Sequence, residues 1–228
     1  MKYAGIASLV MLTLLTGCAG EASSKSEKPA AKPAAASTSA SAAAQNAKLE
    51  TAIFAGGCFW CVETQFEGVP GVKSVISGFT GGHVANPSYE QVGAGGTGHY
   101  ESVEIRFDPA QVKYADLLDM FWHSIDPTQA NGQFCDRGPT YRSAIFWKDS
   151  TQLRAAESSK RAIEKSGVLK APIVTQILPA APFYAAEEYH QDFWRKDPDR
   201  YYNYREGCGR DARLAQVWGK KAAKPTVH

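Results

Sequence analysis

Cys58 and Cys61 stand three residues apart in the run Gly56-Gly57-Cys58-Phe59-Trp60-Cys61-Val62-Glu63. Such a pair can do redox, nucleophilic or metal chemistry, depending on what surrounds it. Leu49 to Phe54 reads as a strand ending at the two glycines, and Cys58 to Phe66 as the helix that follows. A thiol at that helix start would face unpaired backbone amides and the positive end of the helix dipole, both of which favour thiolate over thiol. Cys58 is therefore expected below the free cysteine value of about 8.5, and the thiolate is the nucleophile. Gly56 and Gly57 leave the approach uncovered, while Phe59 and Trp60 offer aromatic walls for a small apolar group. Three chemistries share the spacing. Haem attachment needs a histidine after the second cysteine, and Val62 occupies that place. A zinc site would recruit Cys135 and Cys208, which are isolated and form no second paired knuckle. A reversible disulfide needs only the pair itself, and the spacing alone leaves the last two open.

The chain has five cysteines in 228 residues, so at least one has a separate task. The run Ile6 to Leu15, preceded by Lys2, is apolar but far below the roughly 20 residues of a permanent membrane span, and residues 1–17 read as a targeting segment. Leu15-Thr16-Gly17-Cys18 resembles the lipobox of bacterial lipoproteins. That resemblance implies cleavage before Cys18 and acylation of the new terminus, with several acyl chains giving stable anchorage where one is marginal. Ala19 at the next position implies sorting to an outer membrane where one exists. The protein is thus expected to be exported and held on the periplasmic side of a bacterial membrane. The segment that follows the cysteine, to residue 47, holds twelve Ala, six Ser and two Pro without one aromatic, Leu, Ile or Val. It cannot bury enough apolar surface to offset its ordering entropy, and residues 18–47 are expected to be a disordered tether. Lysines 220, 221 and 224 mark a frayed tail over 220–228, which leaves 48–219 as one domain.

The hydrophobic share of 44% excludes a wholly disordered chain, and 21% charged residues excludes a polytopic membrane protein. A net charge of +2 argues against a nucleic-acid partner. The basic surplus lies in the appendages, and the domain itself is slightly acidic.

The remaining elements must position the thiols. Val72 to Phe79, Ser102 to Phe107, Ser143 to Trp147 and Ile173 to Leu178 read as strands. Tyr114 to Ile125 and Thr151 to Lys165 are amphipathic helices, with short helices over Ala185 to Arg195 and Arg213 to Trp218. The glycine-rich stretch Thr80 to Gly98 reads as loop. This order predicts an α+β fold, a mixed and largely antiparallel sheet with packed helices around a ferredoxin-like split βαβ core.

The run around Cys58 resembles the signature of the type A peptide-methionine sulfoxide reductases. The likeness continues through Gly78-Phe79-Thr80-Gly81-Gly82, Asn86-Pro87-Ser88-Tyr89, Gly98-His99-Tyr100-Glu101, Phe121-Trp122-His123 and Asp126-Pro127. It goes on through Asp136-Arg137-Gly138, Tyr141-Arg142-Ser143-Ala144-Ile145, Pro182-Phe183-Tyr184 and Tyr189-His190-Gln191, covering nearly all of 50–218. The resemblance implies thiol-dependent reduction of methionine-S-sulfoxide, one of the two epimers that need separate enzymes. It makes Cys58 the nucleophile and Glu101 the acid, kept protonated by an apolar pocket. Tyr89 and Tyr141 would donate to the sulfoxide oxygen, Phe59 and Trp60 would hold the S-methyl group, and Asp136 would line the substrate site. The sulfenic acid left on Cys58 condenses with a second thiol. Family members use either a cysteine matching Cys61 or one on a C-terminal segment, and Arg205-Glu-Gly-Cys208-Gly-Arg favours Cys208, with a relay through both allowed. Cys135 reads as a buried small hydrophobe, Glu63 as helix-surface charge, and His99, His123 and His190 as structural histidines.

No metal or organic cofactor is implied. The electrons would come from a thioredoxin-like dithiol donor outside the cytoplasm, the substrates would be oxidised proteins or peptides, and the enzyme would be a monomer. The competing functions are a thioredoxin-like thiol:disulfide oxidoreductase using Cys58 and Cys61, and a non-enzymatic lipoprotein whose four core cysteines bind zinc.

Overall fold

The computed structural model describes residues 49–226. The leader, Cys18 and the linker of 18–47 lie outside the described residues. No helix among those described is long and apolar enough to cross a membrane.

The core is a six-stranded sheet. Strand β1 (Glu50–Gly56) leads through two residues into α1 (Phe59–Phe66), then β2 (Val72–Thr80), α2 (Tyr89–Ala94), β3 (Tyr100–Phe107) and α3 (Tyr114–His123). A two-stranded ribbon, β4 (Gly132–Gln133) and β5 (Asp136–Arg137), precedes a 3-10 turn (Pro139–Tyr141), β6 (Ser143–Trp147), α4 (Ser150–Ser166), β7 (Gln176–Pro179) and β8 (Tyr184–Ala185). The chain closes with a second 3-10 turn (Glu188–His190), α5 (Phe193–Lys196), α6 (Pro198–Gly207), α7 (Arg210–Trp218) and a last 3-10 turn (Gly219–Lys221).

Strand order is β7-β6-β1-β3-β2-β8, antiparallel except for the β6–β7 edge pair. The four inner strands run β6-β1-β3-β2, so β3 separates β1 from β2, the two strands that α1 connects. That is the split βαβ arrangement. β1 is central and buried from Ala52 to Gly56, as a strand covered on both faces must be. Ala52 and Phe54 point to one face, where they join Phe66, Phe121, Leu117 and Ile145. Ile53 and Ala55 point to the other, where Tyr100, Ala144 and Phe146 are capped by Leu178 and Phe183.

Several segments differ from the sequence reading, each for a local reason. The glycine-rich stretch contains α2, nucleated by a capping box in which Ser88 Oγ accepts from the Gln91 amide and Gln91 Oε1 from the Ser88 amide. Helix α6 has no apolar stripe to reveal it: of its ten residues only Tyr201 and Arg205 are buried. Ile173 lies before β7, while its neighbour Val174 donates its amide to Pro127 O. Ala185 to Arg195 is divided among β8, a 3-10 turn and α5, and the turn into α5 places Asp192 at φ +50°. The expected frayed tail is fastened through residue 226. The Ala223 amide donates to His123 O, the Thr226 amide to Thr64 O, and the Thr226 hydroxyl to Glu67 O.

Candidate active site

The site forms where β1 ends. Gly57 has φ +84°, and a Cβ there would come within 2.6 Å of Gln133 Cβ, so the turn that presents Cys58 needs glycine. Cys58 is the N-cap residue of α1 and is 6% exposed. Two carboxylates take the amides at this helix start. Glu101, from the beginning of the neighbouring β3, accepts the Phe59 N–H through Oε2 at 3.0 Å. Asp136, from β5, accepts the Cys58 amide and, through Oδ2, the Tyr204 hydroxyl at 2.5 Å. Tyr89 opens α2 and Tyr141 closes the 3-10 turn ahead of β6, so four different connections converge on one thiol.

Together these groups enclose a cavity of about 70 Å³ lined by Cys58, Phe59, Trp60, Tyr89, Glu101, Asp136, Tyr141 and Tyr204. Its apolar wall is braced from behind. Trp60 stacks on Phe193 with ring centroids 3.8 Å apart and planes at 11°, and its Nε1 donates to His190 Nδ1 at 3.1 Å. The Phe59 ring lies 5.8 Å from Phe79 and 6.1 Å from Tyr89. Such rings present a polarizable apolar surface suited to a thioether methyl.

Glu101 is 3% exposed, and burial raises its pKa to about 8. The hydrogen bond from Phe59 opposes the shift, and the nearby charges of Asp136 and Cys61 reinforce it. At neutral pH Glu101 is therefore a carboxylic acid able to give a proton. Burial also raises Tyr89, to about 12, and Tyr141, so both phenols remain donors.

The two thiols depart from the simple helix-dipole expectation. Burial raises Cys58 well above its ordinary value, with Cys61 and Glu101 adding to the effect. Cys61 is lowered to about 6, first by the hydrogen bond from Cys58 and then by Arg210 and Arg205. Physically, the pair holds one negative charge that Cys58 stabilises as donor and two arginines favour from the Cys61 side. The helix amides that would have lowered Cys58 are already engaged by Glu101 and Asp136. Arg210 is buried below the site, donating to Ser124 O at 2.9 Å and Gly56 O at 3.2 Å, which fixes both its charge and the end of β1.

Cys135 and Cys208 require corrections. Cys135 is exposed, not a buried small hydrophobe, and is disulfide-bonded to Cys208 with S–S 1.97 Å and Cα–Cα 5.0 Å. The 73-residue separation concealed this pairing, since connectivity does not follow from cysteine spacing. Cys208, expected on a C-terminal segment ahead of a helix, is the C-cap residue of α6, its amide donating to Tyr204 O at 2.8 Å. The four core cysteines form two separate pairs, and not one four-sulfur cluster; among the described residues the ligand-spaced group is Cys135, Asp136 and Cys208. Glu63 is also misread as surface charge: it is 2% exposed, and burial raises it to about 8 while Oε1 accepts the Asp192 amide. His190 supports Trp60, as above, and His99 accepts the Gly82 amide through Nδ1 at 3.2 Å. His123 Nδ1 lies 2.8 Å from Asp119 O. Tyr204 and Arg210 were not singled out by sequence reading, because each sits in a charged stretch whose fold was unrecognised.

The family model for peptide methionine sulfoxide reductase matches residues 50–222. A Bacillus licheniformis peptide methionine sulfoxide reductase MsrA is 53% identical over 174 residues, which cover 76% of this chain and 96% of that protein. A Caulobacter vibrioides relative, peptide methionine sulfoxide reductase MsrA 2, is 52% identical over 75% of this chain and 87% of its own length. Among solved structures, methionine sulfoxide reductase A of Corynebacterium diphtheriae aligns with TM-score 0.60 and 34% identity, over 68% of this chain and 77% of that one. Reduced Mxr1 of Saccharomyces cerevisiae aligns with TM-score 0.63 and 29% identity, over 68% and 89% of the two chains. By the match of the family model and the extent of these relatives, the chain belongs to the peptide methionine sulfoxide reductase family.

Proposed function

We propose that the protein is a peptide-methionine (S)-S-oxide reductase that repairs oxidised exported proteins. The observation that carries the reading is a small aromatic cavity holding a cysteine nucleophile, a protonated Glu101 and two tyrosine donors. Family membership supports the reaction class.

The geometry suits the chemistry step by step. The thioether methyl packs on Phe59 and Trp60, and the sulfoxide oxygen takes hydrogen bonds from Tyr89, Tyr141 and Glu101. Cys58 gives its thiol proton to the Cys61 thiolate it is hydrogen-bonded to and attacks the sulfoxide sulfur, while Glu101 passes its proton to the oxygen, which develops negative charge. The oxygen then transfers from the sulfoxide sulfur to the Cys58 sulfur as the bond between the two sulfurs breaks, which leaves Cys58 as a sulfenic acid and releases methionine with its sulfur reduced by two electrons. Cys61, one helical turn away and deprotonated again beside Arg210 and Arg205, then attacks the Cys58 sulfur. The S–O bond breaks, water departs after a proton arrives, and a Cys58–Cys61 disulfide remains. The bond between Cys208 and Cys135 supports Cys61 as the resolving thiol over Cys208, the favoured one of the two candidates read from sequence.

The test is turnover on stereochemically pure sulfoxides with a dithiol reductant. Consumption of the S epimer, with the R epimer untouched, is expected; equal use of both would refute the reading. No cofactor enters these steps. The leader and the lipobox-like Leu15-Thr16-Gly17-Cys18 support an exported protein anchored through Cys18, served by an extracytoplasmic dithiol donor and acting as a monomer. Mass spectrometry of the N-terminal peptide checks the anchor, and an unprocessed Met1 terminus would sink it.

A further inference from the structure

A protein-bound sulfoxide brings its neighbours with it. Once the thioether enters the cavity of about 70 Å³, the flanking residues must lie on the rim, because each residue of extended chain spans only about 3.5 Å. On one side that rim is aromatic. The His190 ring lies 5.0 Å from Phe59 and 4.2 Å from Tyr89, which both line the cavity, and 4.2 Å from Tyr189. His190 is 2% exposed and Tyr189 56%, so the rings lead from the buried site out to solvent. A large aromatic side chain left open beside a binding site has surface to offer a ligand.

The uncompensated charges around Tyr189 have one sign. Its partial burial, and then the carboxylates of Glu187 and Glu90, raise its hydroxyl above the ordinary tyrosine value. Glu187 is tied to the site: its Oε1 accepts the Tyr89 amide at 3.0 Å, and its Oε2 has no partner. Glu90 is the exposed second residue of α2. Neither carboxylate has an ion-pair partner among the described residues. The cations that border this region are engaged elsewhere. Lys196 Nζ holds Glu188 at 2.9 Å, and Arg200 sits 5.6 Å over the Phe193 ring, which stacks on Trp60. An open ring attracts a cation to its face, and two unpaired carboxylates add to that attraction while repelling an anion. An open depression of about 460 Å³ borders Glu187, lined also by Pro87, Ser88, Tyr184 and Ala185, and gives the rest of a peptide a concave course past the patch.

We propose that Tyr189, Glu90 and Glu187 form a specificity subsite that favours peptide sulfoxides carrying Lys or Arg within two residues of the oxidised methionine and disfavours those carrying Asp or Glu there. This inference rests on the cavity taking protein-bound methionine sulfoxide. The flanking cation lies over the Tyr189 ring while the sulfoxide occupies the cavity. The contact is the same before and during attack on sulfur, so it acts on capture of the peptide and not on the chemical step.

Competition in one reaction tests the proposal. The full-length protein, with dithiothreitol as reductant, is given blocked pentapeptides that differ only in the residues flanking methionine-S-sulfoxide: Lys, Gln, norleucine or Glu. Relative consumption gives ratios of kcat/KM, and the reductant step, common to all, cancels. At low ionic strength the order Lys, Gln, Glu is expected, with Lys over Glu about tenfold, shrinking to about twofold in about 0.5 M salt. Tyr189→Leu keeps apolar bulk without the ring and Glu90→Gln removes one charge, and each should cut the low-salt ratio to about threefold. A parent ratio near one or reversed, a preference for norleucine over Lys, or a ratio indifferent to salt would overturn the proposal. So would a parent-like ratio in either variant. The first three readings use the parent protein, so a variant that misfolds leaves them decisive. If the parent consumes none of the peptides, the proposed function itself fails.

Discussion

Cys58 and Cys61 lie within one helical turn, buried beside two arginines; Cys135 and Cys208 lie 73 residues apart in sequence, at the surface, joined by a covalent bond. Both pairs touch the same carboxylate surroundings through Asp136. The difference is in access and in charge. The inner pair is shielded, and one of its sulfurs is held anionic by a hydrogen bond and by fixed guanidinium groups, as a resolving and leaving thiol requires. The outer pair has no such shelter and stands where a large reagent can reach it. Element type alone therefore says little about cysteine function; burial and neighbouring charge divide the four cysteines into a shielded pair and a surface pair.

The largest effect expected separates the two pairs outright. Cys58→Ser should abolish sulfoxide reduction, a loss on the order of 10⁴-fold or more, because no other group can take the oxygen. C135S/C208S, assayed with a small dithiol that can enter the cavity, should keep a chemical step within about twofold of the parent. Methionine release measured by rapid quench distinguishes them. A parent-like rate for Cys58→Ser would remove the basis for calling the inner pair catalytic.

Glu101→Gln comes next. The amide keeps an acceptor for the Phe59 N–H but has no proton to give, so sulfenic acid formation should slow about 10²- to 10³-fold with little change in substrate affinity. In the parent protein the acid form is present below its raised value, so the single-turnover rate should fall as pH rises through about 8. The variant should lose that descending limb. If it persists, the limb belongs to the thiol pair, and the inner cysteines titrate differently from the burial argument above.

Parts of this arrangement were legible in the sequence and parts were not, for identifiable reasons. β1, α1, α3, β6 and α4 could be read because their apolar spacing matches a strand or helix with a buried face. The convergence of Tyr89, Glu101, Asp136 and Tyr141 on Cys58 came from motif resemblance, since no local pattern links residues 89 and 141 to 58. Helix α6 escaped notice because Pro198-Asp-Arg-Tyr-Tyr-Asn-Tyr-Arg-Glu-Gly207 is polar all round, and with it went Tyr204 and the true setting of Cys208. The titration of Cys58 was misjudged because a helix start was visible, while the two carboxylates that consume its amides come from distant β3 and β5. Long-range pairing is the information that one-dimensional spacing lacks.

A smaller effect tests whether burial governs titration throughout α1 and not only at its reactive end. Glu63, on the same helix, is raised to about 8 by burial, against about 4.3 for an unfolded glutamate. The folded state then binds this proton more tightly than the unfolded chain. The stability this confers is complete below about pH 4.3 and is lost as pH rises through about 8. Glu63→Gln can still accept the Asp192 amide but cannot ionise, so its melting temperature should decline less between pH 5 and 8, by several degrees, corresponding to on the order of 2 kcal/mol. Glu101 contributes a slope of the same sign, which the variant retains. Parallel melting curves for the parent and variant would mean that Glu63 is charged at neutral pH in the folded state.

The smallest effect concerns the strap that fastens the far end of α1. The Thr226 hydroxyl donates to the Glu67 carbonyl, and its amide to that of Thr64, next to the helix that carries the inner thiols. Thr226→Ala removes the hydroxyl bond and leaves the amide bond, so a stability loss of about 1 kcal/mol is expected. The inner pair is covered by Trp60, Phe193, Tyr201 and Tyr204, and not by the strap. Alkylation of Cys58 and Cys61 in the reduced variant should therefore proceed at the parent rate. An increase of tenfold or more would show that the shielding of the inner pair depends on the C-terminal strap, and the contrast with the exposed pair would then be set by the whole C-terminal segment instead of by the aromatic cover alone.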